Sequence, residues 1–421
     1  MRVLIKSALL FHPSHPLHGK KTDILIADGI ILRIGDAIED DSARVVSSGN
    51  LCVSAGWVDC FANFCDPGEE YKETLESGAK AAAAGGYTDV MIVPNTTPEI
   101  QNKSQVQYVM EKSRSTHVNI HPIGAVTVKT AGEQLTEMYD MASSGAVAFS
   151  DGLKPIQSSG IMQKALEYLL AIRGVLIQLP DDNTIGTHGQ MNEGVVSTRL
   201  GMQGKPALSE ELMIARDIEL VRYTQSSVHF TGVSTAKSIA LIDAAKKEGL
   251  NVTCSVTPYH LCFCDEDLAD YDTTLKVNPP LRTAADRDAL REAVKSGVVD
   301  CIASHHLPQD YDHKVCEFEK AAFGMETLES VFGAIRSGGI SADRFVEMQT
   351  QKAREIFGLS PVDIKEGAKA VLTLFDPDCE YVFSESDIQS MSKNNGFVGK
   401  TLKGKVIGII NKDGLFLSDT K

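Results

Sequence analysis

The chain has 421 residues, 43% of them hydrophobic and 23% charged. These are the proportions of a soluble folded protein and exclude a disordered or fibrous chain. At about 150 residues per domain the length suits roughly three ordinary domains, or one α/β barrel with an appendage. The 41 Lys and Arg against 56 Asp and Glu leave a net charge of −15, which argues against a nucleic-acid-binding surface because phosphate contacts are carried by clustered Lys and Arg.

Nine cysteines, odd in number and irregular in spacing, predict no disulfide framework and point to a reducing, cytoplasmic setting. There is no run of about 18 apolar residues to predict a membrane span. Met1–Leu10 is apolar but interrupted by Lys6 and lacks the cleavage site of a signal peptide, so it predicts a first strand. Asp23–Ala27 and Ile30–Ile34 flank Asp28-Gly29, a strong two-residue hairpin signal. The acidic runs Glu39-Asp40-Asp41 and Asp265-Glu266-Asp267 read as solvated loops.

The middle of the chain alternates strand and helix. Strand-like runs fall at Leu51–Val58, Thr88–Val93, Val118–Val126, Ala146–Phe149, Gly174–Ile177, Ser227–Phe230, Asn251–Val256 and Val298–Ala303. Stretches with helical spacing, such as Glu69–Ala84, Glu210–Tyr223 and Thr235–Glu248, lie between them. Eight such alternations over about 300 residues predict a (β/α)8 barrel, and a doubly wound open sheet fits the alternation nearly as well. No Gly-rich phosphate loop occurs, and Gly85-Gly86 reads as a helix stop. Asp181–Gly204 reads as a surface excursion in which Asn192-Glu193-Gly194 forms a turn. Near the end, Ala370–Phe375, Tyr381–Phe383 and Lys405–Ile410 with an Asp413-Gly414 turn match the style of the beginning. Residues 1–54 plus 364–421 therefore predict one small β domain built from both chain ends, around a barrel of residues 55–363.

Working groups in a barrel project from the C-terminal strand ends. Those positions are Phe61, Asn63 and Cys65, then Asn95, Asp151, Gln178, Gly232, and His305 with His306. A hydrolytic metal needs three or more His, carboxylate or Cys ligands converging on one point, and this set is thin.

At these residues the sequence resembles dihydroorotases of the amidohydrolase superfamily, the type associated with aspartate carbamoyltransferase in a multifunctional complex. The resemblance rests on Ala55-Gly56-Trp57-Val58-Asp59, Pro67–Thr74, Lys80–Thr88, Pro94-Asn95-Thr96, Phe149-Ser150-Asp151, Met191-Asn192-Glu193-Gly194, Val233-Ser234-Thr235, Thr257–Leu261, Asn278-Pro279-Pro280-Leu281-Arg282 and Asp300–Ala303. It implies an amidohydrolase-type (β/α)8 TIM-like barrel with a β-sandwich domain from both ends, and zinc in active members. A homodimer or mixed oligomer is implied as well, with the transferase as partner.

The departures fall on the chemistry. Where the family has Asp-x-His-x-His and an Arg, this chain has Phe61, Asn63 and Cys65. The strand-5 and strand-6 His positions are Gln178 and Gly232. The catalytic Asp of strand 8 is His305, and the last His of that motif is Gln309. Only Asp151 survives among the six ligand and carboxylate positions. A zinc ion lowers the pKa of its water from about 15.7 to about 7, on the order of 10 kcal/mol of nucleophile activation. Phe and Gly supply no ligand, and replacing Arg with Cys65 removes a bidentate grip on a carboxylate.

The expectation is therefore a catalytically inactive homologue with no cofactor. If the chain is active, His305 is the candidate base, and Asp151, His305 and His306 with a cysteine are the candidate single-metal ligands of a rebuilt cyclic-amide hydrolase. Asn95, Asn278 and Gln309 remain as a substrate-pocket remnant that could sense a pyrimidine intermediate. For Asp151 a loop cap or an ion pair is the plainer role. For His305, His306 and His260 it is a satisfied structural position, and for Cys65 and Cys262-Phe263-Cys264 simple burial.

Overall fold

The structure, a computed structural model, describes residues 1–12 and 15–418. Five strands open the chain: β1 (Arg2–Phe11), β2 (Lys21–Ala27), β3 (Ile30–Gly35), β4 (Arg44–Val46) and β5 (Cys52–Ala55). The barrel begins with β6 (Trp57–Ala62), β7 (Tyr87–Ile92), β8 (Asn119–Gly124), β9 (Ala148–Phe149) and β10 (Leu176–Gln178). A two-stranded excursion, β11 (Met191–Asn192) with β12 (Gly204–Lys205), precedes β13 (Ser227–Phe230), β14 (Asn251–Val256) and β15 (Cys301–Ile302). Three strands close the chain: β16 (Leu372–Val382), β17 (Thr401–Asn411) and β18 (Gly414–Leu417).

Strands β6 to β10 and β13 to β15 form one eight-stranded parallel sheet in chain order. The expected barrel is thus the fold, and the open doubly wound alternative is set aside. Its first and last strands meet just beyond β15, where Ala62 bridges His306 and Asn63 N–H donates to the His306 carbonyl at 2.8 Å. The strands are short apolar runs because a parallel sheet under helices is buried on both faces. Val58, Cys60, Met91, Val93, Ile123, Ala148, Ile177, Cys301 and Ala303 form a packed interior with Ala353 and Phe357, the filled core such barrels need.

The two chain ends share a mixed sheet in the order β18-β17-β16-β5-β1-β2-β3, with β4 on β1. Strand β5 joins them, parallel to β1 and antiparallel to β16. The sheet docks on the barrel through Phe375, whose ring lies 5.4 Å from Trp57. Trp57 also meets Phe332 and Phe345 at 5.0 and 4.9 Å.

Three local expectations change. Leu51–Val58 is two strands, not one, because the chain turns at Gly56, where a Cβ would fall 2.1 Å from Thr88 Oγ1. The last hairpin turns on Lys412-Asp413, both left-handed, so Gly414 already belongs to β18. Asp265 is not a solvated acid: it is buried and accepts a hydrogen bond from Asn192 Nδ2 at 2.9 Å. Among the described residues no helix is long and apolar enough to cross a membrane.

Candidate active site at the barrel mouth

Parallel strands deliver their C-terminal ends to one rim, and the rim surrounds a two-part hollow. The outer part, about 440 Å³, is lined by Asn63, Cys65, Lys72, Asn95, Asn278 and Gln309. The inner part, bounded by Phe61, Asn63, Asn278, His305 and His306, is only about 20 Å³, which is room for one water molecule. The structure therefore brings these predicted residues together, while Asp151, Gln178 and Gly232 do not line either part.

His305 fills the inner site. Its ring stacks on Phe61 with centroids 4.5 Å apart and 28° between planes, and its Nε2 shares a 2.7 Å hydrogen bond with Thr231 Oγ1. Burial, with His260 and His229 nearby, brings its pKa down to about 3, so the ring is neutral. Gly232 has a left-handed φ of 67°, and a Cβ there would stand 2.6 Å from His305 Cε1. The ring from strand 8 occupies the volume that a strand-6 side chain would need.

Most of the other polar groups are bonded into the structure, although Gln309 Oε1 and His306 Nε2 have no hydrogen-bond partner among the described residues. Asp151 accepts from the Thr127 N–H at 2.8 Å and from the Thr127 hydroxyl, capping the loop after β8. Burial pushes its pKa up to about 6. Asn95 Nδ2 donates to the Asp151 carbonyl at 3.0 Å, and its Oδ1 accepts from Leu153 N–H at 2.7 Å. Gln178 Nε2 reaches Asp217 Oδ2 at 3.3 Å, tying β10 to helix Leu208–Thr224. The Cys65 thiol is buried, which pushes its pKa up to about 12, so it is no thiolate nucleophile. Gln309 Nε2 donates to the Phe323 carbonyl at 2.9 Å. His306 lies between two buried carboxylates, 3.6 Å from Glu73 and 3.8 Å from Glu326. Burial, with Glu329 beside it, raises the Glu326 pKa well above the ordinary range. His260 shares a 2.8 Å hydrogen bond with Thr257 Oγ1 and lies 3.1 Å from the Pro279 carbonyl.

Behind the rim stands a buttress of buried polar groups. Glu210 accepts from Ser234 N–H at 3.0 Å, from the Ser234 hydroxyl and from Thr235 N–H at 3.1 Å. Arg282 donates to Ser234 Oγ at 3.1 Å, Asn192 Oδ1 at 3.0 Å and the Lys205 carbonyl at 2.9 Å. Lys205 in turn bonds Asp181 and, at 2.9 Å, Asn278 Oδ1. The excursion is thus anchored by Asn192 rather than lying free on the surface.

Sequence reasoning gave no role to two features. A row of hydrogen bonds climbs the barrel interior: Thr253 Oγ1 to His229 Nδ1 at 2.9 Å, His229 Nε2 to Ser255 Oγ at 3.0 Å, and Ser255 Oγ donating to Thr231 Oγ1 at 3.0 Å, which meets His305. Among the described residues, only one set of three His, Cys, Asp or Glu donors converges within 4.8 Å: Cys60, His229 and Cys301. The available signal was a polar His229 inside the otherwise apolar run of β13.

A rim zinc does not fit these residues. Asp151, His305 and His306 do not converge, Asp151 is bonded to Thr127, and the inner space holds a stacked ring pair. With no ligand set at the rim, no hydroxide-forming step can be assigned to it.

A family model described as dihydro-orotase-like matches residues 49–238. The dihydroorotase of Pelotomaculum thermopropionicum is 38% identical over 411 residues, covering 96% of each chain. That of Aquifex aeolicus is 36% identical over 418 residues, 98% of each. Among solved structures, the L-hydantoinase (dihydropyrimidinase) from Arthrobacter aurescens superposes with a TM-score of 0.86 at 22% identity, over 100% of this chain and 96% of that one. The dihydropyrimidinase from Brevibacillus agri gives 0.82 at 20% identity, over 100% and 95%. These structural likenesses concern the fold.

Proposed function

The chain belongs to the dihydroorotase family, and from that premise we propose that it is a dihydroorotase-like protein of pyrimidine biosynthesis. In this reading its barrel does not hydrolyse the ring and serves in the cytoplasm as a structural partner of aspartate carbamoyltransferase. One observation carries the loss of hydrolysis: the His305 ring, stacked on Phe61, occupies the space facing Gly232. A metal-bound hydroxide needs ligands and an open position there, and this rim offers a neutral imidazole against a phenyl ring. The absent Arg at position 65 also leaves no bidentate partner for a carboxylate substrate. The buttress, by contrast, keeps the rim loops in place as a scaffold requires.

The test has two arms. Purified chain, assayed with zinc present, is expected to open dihydroorotate no faster than buffer alone. Turnover that disappears in His305→Ala would reject the loss of hydrolysis. Mixed with the cognate transferase at micromolar concentrations, the chain is expected to elute as one heavier species by light scattering. Two independent peaks would reject the partnership.

The outer hollow favours a second reading. Its 440 Å³ falls within the range of small-molecule sites, and Asn63, Asn95 and Gln309 give it polar walls for a pyrimidine intermediate. A panel of pathway metabolites in a thermal-shift assay tests this, since specific binding raises the midpoint by mass action. No shift with any of them removes it.

A further inference from the structure

Below the rim, the first and last barrel strands face each other through two thiols. Cys60 of β6 and Cys301 of β15 place their Sγ atoms 3.7 Å apart. His229 of β13 completes a set whose ligand atoms all lie within 4.8 Å of one another. The three are at most 1% exposed, and Phe357 packs edge-on against the imidazole at 5.1 Å.

The spacing matches a known coordination geometry. Two thiolates each about 2.3 Å from a tetrahedral zinc stand about 3.8 Å apart. Sulfur and imidazole without carboxylate form a soft donor set that selects thiophilic ions over magnesium or calcium. Charge then narrows the choice: two thiolates and a neutral imidazole carry two negative charges, which a divalent cation cancels. Cancellation matters in a dry interior, where an unbalanced charge is costly. Thr253 and Ser255 hold the two ring nitrogens. When one nitrogen turns to a metal, the other keeps a hydroxyl partner to orient the ring.

We propose that Cys60, His229 and Cys301 form a buried three-ligand structural site for one thiophilic divalent cation of the zinc class, which fastens the first barrel strand to the last. On binding, two S–H bonds break, two sulfur–metal bonds and one nitrogen–metal bond form, and two protons leave to solvent. No electron is transferred. The site is independent of the proposed function, since it is buried below the rim, at most 1% exposed, out of a substrate's reach.

The full chain would be expressed in cobalt-supplemented medium and purified under reductant. The expected result is one cobalt per chain, with a thiolate-to-cobalt charge-transfer band in the near ultraviolet. Cys60→Ala and Cys301→Ala should each lower the bound cobalt at least about tenfold, whereas Cys65→Ala, removing a buried thiol at the rim, should leave it unchanged. If the first two variants do not fold, X-ray absorption on the unmutated chain decides, with two sulfurs and a nitrogen in the shell expected. Metal well below one equivalent, or a shell without sulfur, overturns the site. Ring opening of dihydroorotate would overturn the proposed function without touching this inference, so the two can fail separately.

Discussion

The rim of the barrel and the buttress behind it both carry sequence that resembles dihydroorotases, yet they use polar residues in opposite ways. In the buttress, Glu210, Arg282, Asn192 and Ser234 satisfy one another out of contact with water. At the rim, Asp151 is bonded to the Thr127 backbone and hydroxyl and Gln178 to Asp217 of a neighbouring helix, so neither faces a common point. The difference separates two reasons for a motif. On the proposed reading, groups that hold loops stay with the fold while groups that would hold reacting atoms do not.

The sharpest way to break this comparison is Arg282→Met. It strands the buried Glu210 carboxylate and removes three donated hydrogen bonds, and should cost about 3–5 kcal/mol in urea unfolding. A loss no larger than that of a surface substitution would mean that the buttress carries no load.

A smaller effect is expected at the rim. Gly232→Ala combines a left-handed backbone with the His305 contact and should cost about 1–3 kcal/mol. His305→Ala should relieve the steric part, giving a coupling of at least about 0.5 kcal/mol in a double-mutant cycle. Strict additivity would place the ring elsewhere.

A third effect concerns pH. Burial raises the Asp151 pKa from the ordinary 3.8 to about 6. Its contribution is therefore fully present below the ordinary value and is lost as pH rises through about 6. Asp151→Asn should flatten the wild-type stability profile across that window, measured as the difference between the two proteins. An unchanged profile would mean that the Thr127 bonds do not sit on a buried carboxyl.

Much of this was legible before any coordinates. The alternation of apolar runs narrowed the fold to a barrel or a doubly wound open sheet, and the paired β-rich ends pointed to the shared sheet. That Phe61, Asn63, Gln178 and Gly232 stand at ligand positions is what the family resemblance implies, and their chemistry marks them as poor ligands or none. The split of Leu51–Val58 was hidden because strands buried on both faces look alike whichever sheet they join. The filling of the strand-6 space by His305 was hidden too, since composition does not say which ring takes a vacated volume. Cys60, His229 and Cys301 lie on three strands far apart in sequence, and only barrel closure makes them neighbours. Asp265 misled because acidic runs are usually solvated, and here a buried asparagine claimed one member.

The row from Thr253 through His229, Ser255 and Thr231 to His305 has a collective property. Each hydroxyl has a single hydrogen, and each neutral imidazole carries one N–H. With Ser255 giving its hydrogen upward, His229 carries its hydrogen on Nε2 and receives one from Thr253, while Thr231, with two acceptor lone pairs, can either give to His305 Nε2 or accept from it. Turning the Ser255 hydrogen toward His229 obliges His229 to move its own hydrogen to Nδ1 and Thr253 to accept it. In the metal-free barrel the tautomer of His229 and the directions of the Thr253 and Ser255 bonds are therefore one joint choice, made without a backbone atom moving.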